Sequence, residues 1–175
     1  MTHTEEALAQ KAAPIRLLLT DCDGVLTDAG VYYSAQGEEL KRFSIRDGMG
    51  VERLRQLCSV EVGIMTGENS AIVARRAEKL HLTHLYLGIK DKAACLRDLL
   101  VEHDLRLEEV AFIGDDMNDL EVLQRVGLSA CPSDALPPVK AIAHYVCQMP
   151  GGHGAFREFA ELIIHLKTSK TTLTS

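Results

Sequence analysis

Short apolar runs near 15–20, 60–65, 84–87, 110–113, 128–131 and 143–147 alternate along this chain with segments whose apolar residues recur at helical spacing. Strands separated by helices return in the same direction, so the pattern predicts an α/β fold, a doubly wound parallel sheet wrapped by helices. One helical stripe is Val51, Leu54, Leu57 and Cys58, a second Ile72, Val73, Ala77 and Leu80, and a third Cys95, Leu96, Leu99 and Leu100. Phe156, Phe159, Ile163 and Leu166 mark a last helix, and Asp47 and Asp91 stand where N-caps are expected. One segment breaks the alternation. Residues 31–43 place two strand-like arms around a polar tip containing Gly37, which reads as a β-hairpin projecting from the loop after the first strand. A hairpin this short has no core of its own, so it packs on its own domain or on a neighbouring subunit.

A chain of 175 residues, 46% apolar, suits one domain, expected over 14–167, with 1–13 and 168–175 read as flexible tails. The net charge of −6 and the lack of a basic block argue against nucleic acid and against an anionic membrane surface as partners. Cysteines at 22, 58, 95, 131 and 147 show no metal-ligand spacing and read as reduced thiols of a cytoplasmic protein. Neither a secretory h-region nor a membrane-length apolar span is visible.

Ligands of open α/β sheets bind outside the carboxyl ends of the strands, so the strand ends carry the chemistry. The first strand ends in Asp21-Cys22-Asp23-Gly24, where Asp21 and Asp23 can face one reacting centre while Cys22 turns into the core. The second ends in Thr66-Gly67, the region after the third supplies Lys90-Asp91-Lys92, and the fourth ends in Gly114-Asp115-Asp116-Met117-Asn118-Asp119. Side by side, Asp115 and Asp116 repel unless a cation lies between them and their neighbours.

This order of groups resembles the haloacid dehalogenase (HAD) superfamily, and within it the small cap-less phosphatases of 2-keto-3-deoxy sugar acid phosphates. The likeness rests on Asp21 to Asp28, the hairpin, Arg46-Asp47-Gly48-Met49-Gly50, Thr66-Gly67, Gly88 to Lys92, Gly114 to Asp119 and Gly151 to Glu158. It implies a Mg²⁺ cofactor held by Asp21, Asp115 and the backbone carbonyl of Asp23, hard oxygen ligands suited to that ion. It implies Asp21 as nucleophile, Asp23 as the acid and base, and Thr66 and Lys92 as holders of the phosphoryl oxygens. Asp116 and Asp119 would stand behind these, Asp119 orienting the metal ligands and Lys92. The intervals between motifs leave no room for a cap domain, and the resemblance implies a homotetramer whose hairpins, 31–43, cover neighbouring sites.

The substrate stays open between 3-deoxy-D-manno-octulosonate 8-phosphate and 2-keto-3-deoxynononate 9-phosphate. Octulosonate-type members have Thr-Gly-Arg after the second strand, whereas this chain has Thr66-Gly67-Glu68, with Lys79 in the place where nononate-type members carry a lysine. On that reading Glu68 meets sugar hydroxyls, Arg76 and Lys79 meet the substrate carboxylate, and Arg157 in the C-terminal segment joins them. The same charges also suit the ends of a solvated helix. A receiver domain shares the acidic groups, threonine and lysine, but its acidic pair comes early, and here the pair comes late. A non-catalytic HAD-like oligomerisation domain associated with sugar-nucleotide synthesis is the other alternative, and loss of a catalytic group would mark it.

Overall fold

The structure, a computed structural model, describes residues 4–169. Six parallel strands form the main sheet: β1 (Leu17–Thr20), β4 (Glu61–Met65), β5 (His84–Tyr86), β6 (Val110–Ile113), β7 (Leu128–Cys131) and β8 (Tyr145–Val146), in the spatial order β5-β4-β1-β6-β7-β8. The chain therefore winds outward from β1 through β4 to β5, then crosses back to β6 and winds outward the other way. The direction reverses between β1 and β6, the switch point at whose carboxyl edge sheets of this kind bind their ligands. Thr20 stands level with Ile64 of β4 and Ile113 of β6, so the next residues on all three strands leave the sheet at one height.

Central strands are buried on both faces because helices cover both. Leu18, Val62, Ile64, Ala111 and Ile113 point into one core, shared with α2 (Ile45–Cys58), α3 (Ala71–Lys79) and α7 (Ala155–Thr168). Leu17, Leu19, Met65, Val110 and Phe112 point into the other, shared with α4 (Lys92–Glu102), α5 (Leu120–Arg125) and α6 (Pro137–Ile142). That strict alternation is the two-residue period of a strand read from the inside. The doubly wound parallel sheet inferred from sequence is the fold observed.

The hairpin consists of β2 (Thr27–Ser34) and β3 (Gly37–Phe43), antiparallel and starting four residues before the expected 31. Its base is anchored by Arg76, whose guanidinium lies 5.4 Å from the Phe43 ring centroid and donates to the Ser44 carbonyl at 2.9 Å.

Two local expectations are corrected. The segment 1–13, read as a flexible tail, holds a helix, α1 (Glu5–Ala12): Thr4 Oγ1 accepts from the Ala7 amide, and Leu8 and Ala12 are buried in the α2/α7 core. Only one large apolar residue anchors this helix, which left little periodicity to read. Lys167 ties the region down by donating to the carbonyls of Ala13 and Ile15 at 2.8 and 2.9 Å. At the other end Thr168, also read as tail, is the last residue of the helix Ala155–Thr168, and residues 1–3 and 170–175 lie outside the described residues. Second, Ser44 and not Asp47 caps α2, while Asp47 is buried and accepts the Arg157 amide at 2.9 Å; Asp91 does cap α4, accepting from Ala94 at 2.9 Å. Helix α4 accordingly begins at Lys92 itself, so the lysine projects from a helix start. His84 opens β5, is buried, and pairs with Glu61 at 2.8 Å.

Truncating Leu8 to alanine should cost about 2–3 kcal/mol. Thermal unfolding should then show Tm lowered by roughly 4–10 °C, with activity retained. An unchanged Tm would mean that α1 adds nothing to the core.

Candidate active site

Asp21 follows β1 directly, and its amide donates to the Ile113 carbonyl at 2.9 Å, so strand pairing continues one residue further and fixes the backbone. Beyond it the chain turns sharply, the Cys22 carbonyl accepting the amides of Leu26 and Thr27 at 2.9 and 3.0 Å. Cys22 is fully buried, and burial followed by the nearby Asp23 and Asp21 charges pushes its thiol far up, so it is inert as a nucleophile. Gly24 is the tightest point of the turn. Its φ is +89°, and a Cβ there would lie 2.1 Å from Asp115 Oδ2.

At the end of β6 the same device recurs. A Cβ on Gly114 would lie 2.4 Å from Asp119 Oδ2, and with only hydrogen there Asp119 reaches back to accept the amides of Asp115 and Asp116 at 3.1 and 3.4 Å. The two glycines thus let three carboxylates converge: ligand atoms of Asp21, Asp115 and Asp119 lie within 4.8 Å of one another. Lys92 enters from the first turn of α4, with Nζ 2.9 Å from Asp21 and 2.6 Å from Asp119.

One ammonium stands against three carboxylates, Asp21 and Asp119 buried and Asp115 half-buried, and the excess of acids raises two of them. Burial, then Asp119, pushes Asp21 up to about 6 in spite of Lys92. Burial, then Asp21, Asp119 and Asp116, pushes Asp115 up to about 8. Burial disfavours the charged form of Lys92, but Asp21 and Asp119 outweigh it and hold the ammonium above its ordinary value. Asp115 Oδ1 is buried with no hydrogen-bond partner. An orphaned carboxylate oxygen facing two further acids is the signature of a place for a hard divalent cation. Asp119 has both oxygens engaged by Lys92 and the backbone amides, which makes it a brace for the cluster.

Thr66 follows β4 at the same edge, buried, its amide on the Tyr86 carbonyl at 3.0 Å and its hydroxyl oxygen accepting the Glu68 amide at 3.2 Å. Asp23 faces differently from Asp21. Its Oδ1 accepts from the Thr27 hydroxyl at 3.1 Å and its Oδ2 from Lys41 Nζ at 2.6 Å. Lys41 lies on β3 and escaped sequence reasoning, since a single lysine between Leu40 and Arg42 carries no motif and lysines are ordinarily exposed. Only the two-residue alternation of the hairpin could have turned it inward.

The remaining sequence-derived site residues lie outside the cluster. Asp116 is exposed and caps the short turn Met117–Asp119 by accepting the Met117 amide. Glu68 is exposed at the mouth, after Thr66. Arg76 is spent on Phe43 and Ser44 as described. Lys79 ends α3, about 12 Å along the axis from Ala71, and lines a cleft with Gly48, Arg55 and His81. Arg157 pairs with Glu161 at 2.7 Å and donates to the Arg46 carbonyl at 3.4 Å.

Gly24→Ala should lower activity by on the order of 10²-fold, because both the positive φ and the Asp115 contact force the turn to move. Turnover measured beside a far-UV spectrum of the folded variant checks this; full activity would mean the turn tolerates the added methyl.

A doubly wound sheet whose first strand ends in a paired aspartate turn, with an acidic cluster and a lysine at the switch point, defines a HAD-type site. Residues 69–158 match the haloacid dehalogenase-like hydrolase family, and the chain belongs to that family. It is 44% identical over 155 residues to the 3-deoxy-D-manno-octulosonate 8-phosphate phosphatase KdsC of Yersinia pestis, covering 89% of this chain and 82% of that protein. Its fold matches the same enzyme from Moraxella catarrhalis, solved with magnesium ion, phosphate ion and KDO, at a TM-score of 0.90 and 34% identity, over 97% of both chains. It also matches the cobalt-bound phosphatase from Haemophilus influenzae at a TM-score of 0.88 and 34% identity, over 95% of this chain and 96% of that one.

Proposed function

We propose that this hydrolase is a Mg²⁺-dependent phosphatase that cleaves a 2-keto-3-deoxy sugar acid phosphate through an aspartyl phosphate on Asp21. The observation that carries the reading is the convergence of Asp21 and Asp115, with its orphaned Oδ1, beside Lys92. Asp21, Asp115 and the Asp23 carbonyl would hold the ion, which supplies the positive charge that lets a carboxylate approach a phosphate dianion.

This chain's own groups then divide the work. An Asp21 oxygen bonds to phosphorus as the bond from phosphorus to the sugar oxygen breaks, and the Asp23 carboxyl gives its proton to that departing oxygen. In the second half a water oxygen bonds to the same phosphorus, its proton passes to Asp23, and the Asp21 carboxylate leaves as it was. Lys92 and Thr66 hold the phosphoryl oxygens, Lys92 offsetting the charge that spreads over them.

The relatives favour octulosonate 8-phosphate as substrate, and exposed Glu68 at the mouth favours nononate 9-phosphate; either product is a sugar acid of surface polysaccharides. The hairpin suggests a homotetramer: Tyr32, Tyr33 and Leu40 are 67%, 72% and 64% exposed, an apolar surface suited to covering a neighbouring site. The five cysteines form no disulfide, in keeping with a cytoplasmic setting, and no described helix is long and apolar enough to cross a membrane.

Turnover of the two esters, measured in parallel with Mg²⁺, tests the substrate: a preference of about tenfold or more for one assigns it, and failure to release phosphate from either would overturn the reading. Gel filtration should give a mass near four subunits, and a monomer would remove the shared-site arrangement.

A further inference from the structure

Lys41 is buried although it is a lysine, and its placement gives it one task. Its Nζ lies 2.6 Å from Asp23 Oδ2, in the turn that leads into the hairpin, and 3.3 Å from Glu38 Oε2, which stands on β3 next to the hairpin's tip. Glu38 in turn accepts a hydrogen bond from the hydroxyl of Ser70, the residue that precedes α3 four positions after Thr66. The other oxygen of Asp23 is taken by the Thr27 hydroxyl of β2. Both oxygens of the acid–base residue are therefore gripped by the hairpin, one from each strand. Burying an ammonium is costly unless it is paired, and here the pairing runs from α3 through the hairpin into the turn after β1.

We propose that Lys41 is a positioning residue for leaving-group protonation, clamping the Asp23 carboxylate so that the acid–base step depends on how the hairpin is seated. This rests on the assignment of Asp23 in the proposed function and deepens it. An acid misplaced by about 1 Å loses much of its effect, whereas the nucleophile, fixed to β6 by its backbone, and the phosphoryl holders, after β4 and on α4, are not gripped by Lys41 in this way and keep theirs. Cleavage of an ester with a poor leaving group should then suffer selectively. An alkyl sugar phosphate needs a proton on the departing oxygen, and p-nitrophenyl phosphate expels a stable anion without one.

The test compares kcat/KM, which reports phosphoryl transfer to the enzyme, for both esters with the full chain and Mg²⁺. Lys41→Met should lose on the order of 10²-fold on the sugar acid phosphate and less than about threefold on p-nitrophenyl phosphate, the pattern that Asp23→Ala should show more strongly. Glu38→Gln, which leaves Lys41 in place but loosens it, should show the same selectivity at roughly tenfold and decides the matter if Lys41→Met does not fold. Equal losses on the two esters, or no loss on the alkyl one, would overturn the role of Lys41 while the unsubstituted protein remains a phosphatase. No phosphate release by the unsubstituted protein from either ester would overturn the proposed function itself, and this inference with it.

Discussion

Asp21→Asn should reduce phosphate release by on the order of 10⁴-fold or more, since the amide oxygen is too weak a nucleophile to form the covalent intermediate. Hydrogen-bonding capacity toward Lys92 survives in the variant, and Lys92 keeps Asp119 at 2.6 Å, so the fold has no reason to fail. The variant should even be more stable without metal. Asp21 sits at about 6 because its charge is unwelcome where it is buried beside Asp119, and an uncharged amide removes that penalty. Steady-state phosphate release and thermal unfolding of the metal-free variant near pH 8 check both halves. Undiminished release would reject Asp21 as the attacking group.

Chelation of divalent metal should carry activity to background and leave a characteristic pH dependence of stability. The sign follows from the raised carboxylates. Asp21 at about 6 and Asp115 at about 8 hold protons in the folded state that the unfolded chain has already released near pH 4, so the folded state binds more protons between those limits. Stability of the metal-free protein should therefore fall as pH rises from about 5 to about 8. Mg²⁺ relieves the same repulsion, so its stabilisation should be larger at the upper end. At about 100 times its Kd it should contribute about 2.7 kcal/mol, a rise in Tm of roughly 5–10 °C. Melting curves with and without Mg²⁺ at the two pH values measure this. A metal-free protein that gains stability with rising pH, or a Mg²⁺ effect confined to low pH, would show that the acids are not a cation site.

The parts of the fold that were readable in advance are those governed by local periodicity. Runs such as Leu17-Leu18-Leu19 and Val110 to Ile113 are apolar on consecutive residues because both faces of those strands are covered, and that alone predicts a parallel sheet between helix layers. The positions of Asp21, Thr66, Lys92 and Asp115 at the carboxyl edge were readable because each sits one or two steps beyond a strand or at a helix start. What stayed hidden depends on contacts remote in sequence. Helix α1 is held by α7 and Lys167, Asp47 is turned inward by the Arg157 amide, and Lys41 is buried by charges 18 and three residues away. Of the charged residues assigned to substrate recognition, Arg76 and Arg157 have protein partners, and sequence spacing carries no information about whether a guanidinium is already engaged.

The most direct measurement is to mix the protein with Mg²⁺ and a sugar acid phosphate carrying a labelled phosphoryl group, quench in acid within a single turnover, and map the labelled peptide. Label on the peptide containing Asp21, absent from Asp21→Asn, is the predicted result. Label reaching inorganic phosphate in full turnover with none ever found on Asp21 would contradict the covalent route and the role given to the whole cluster.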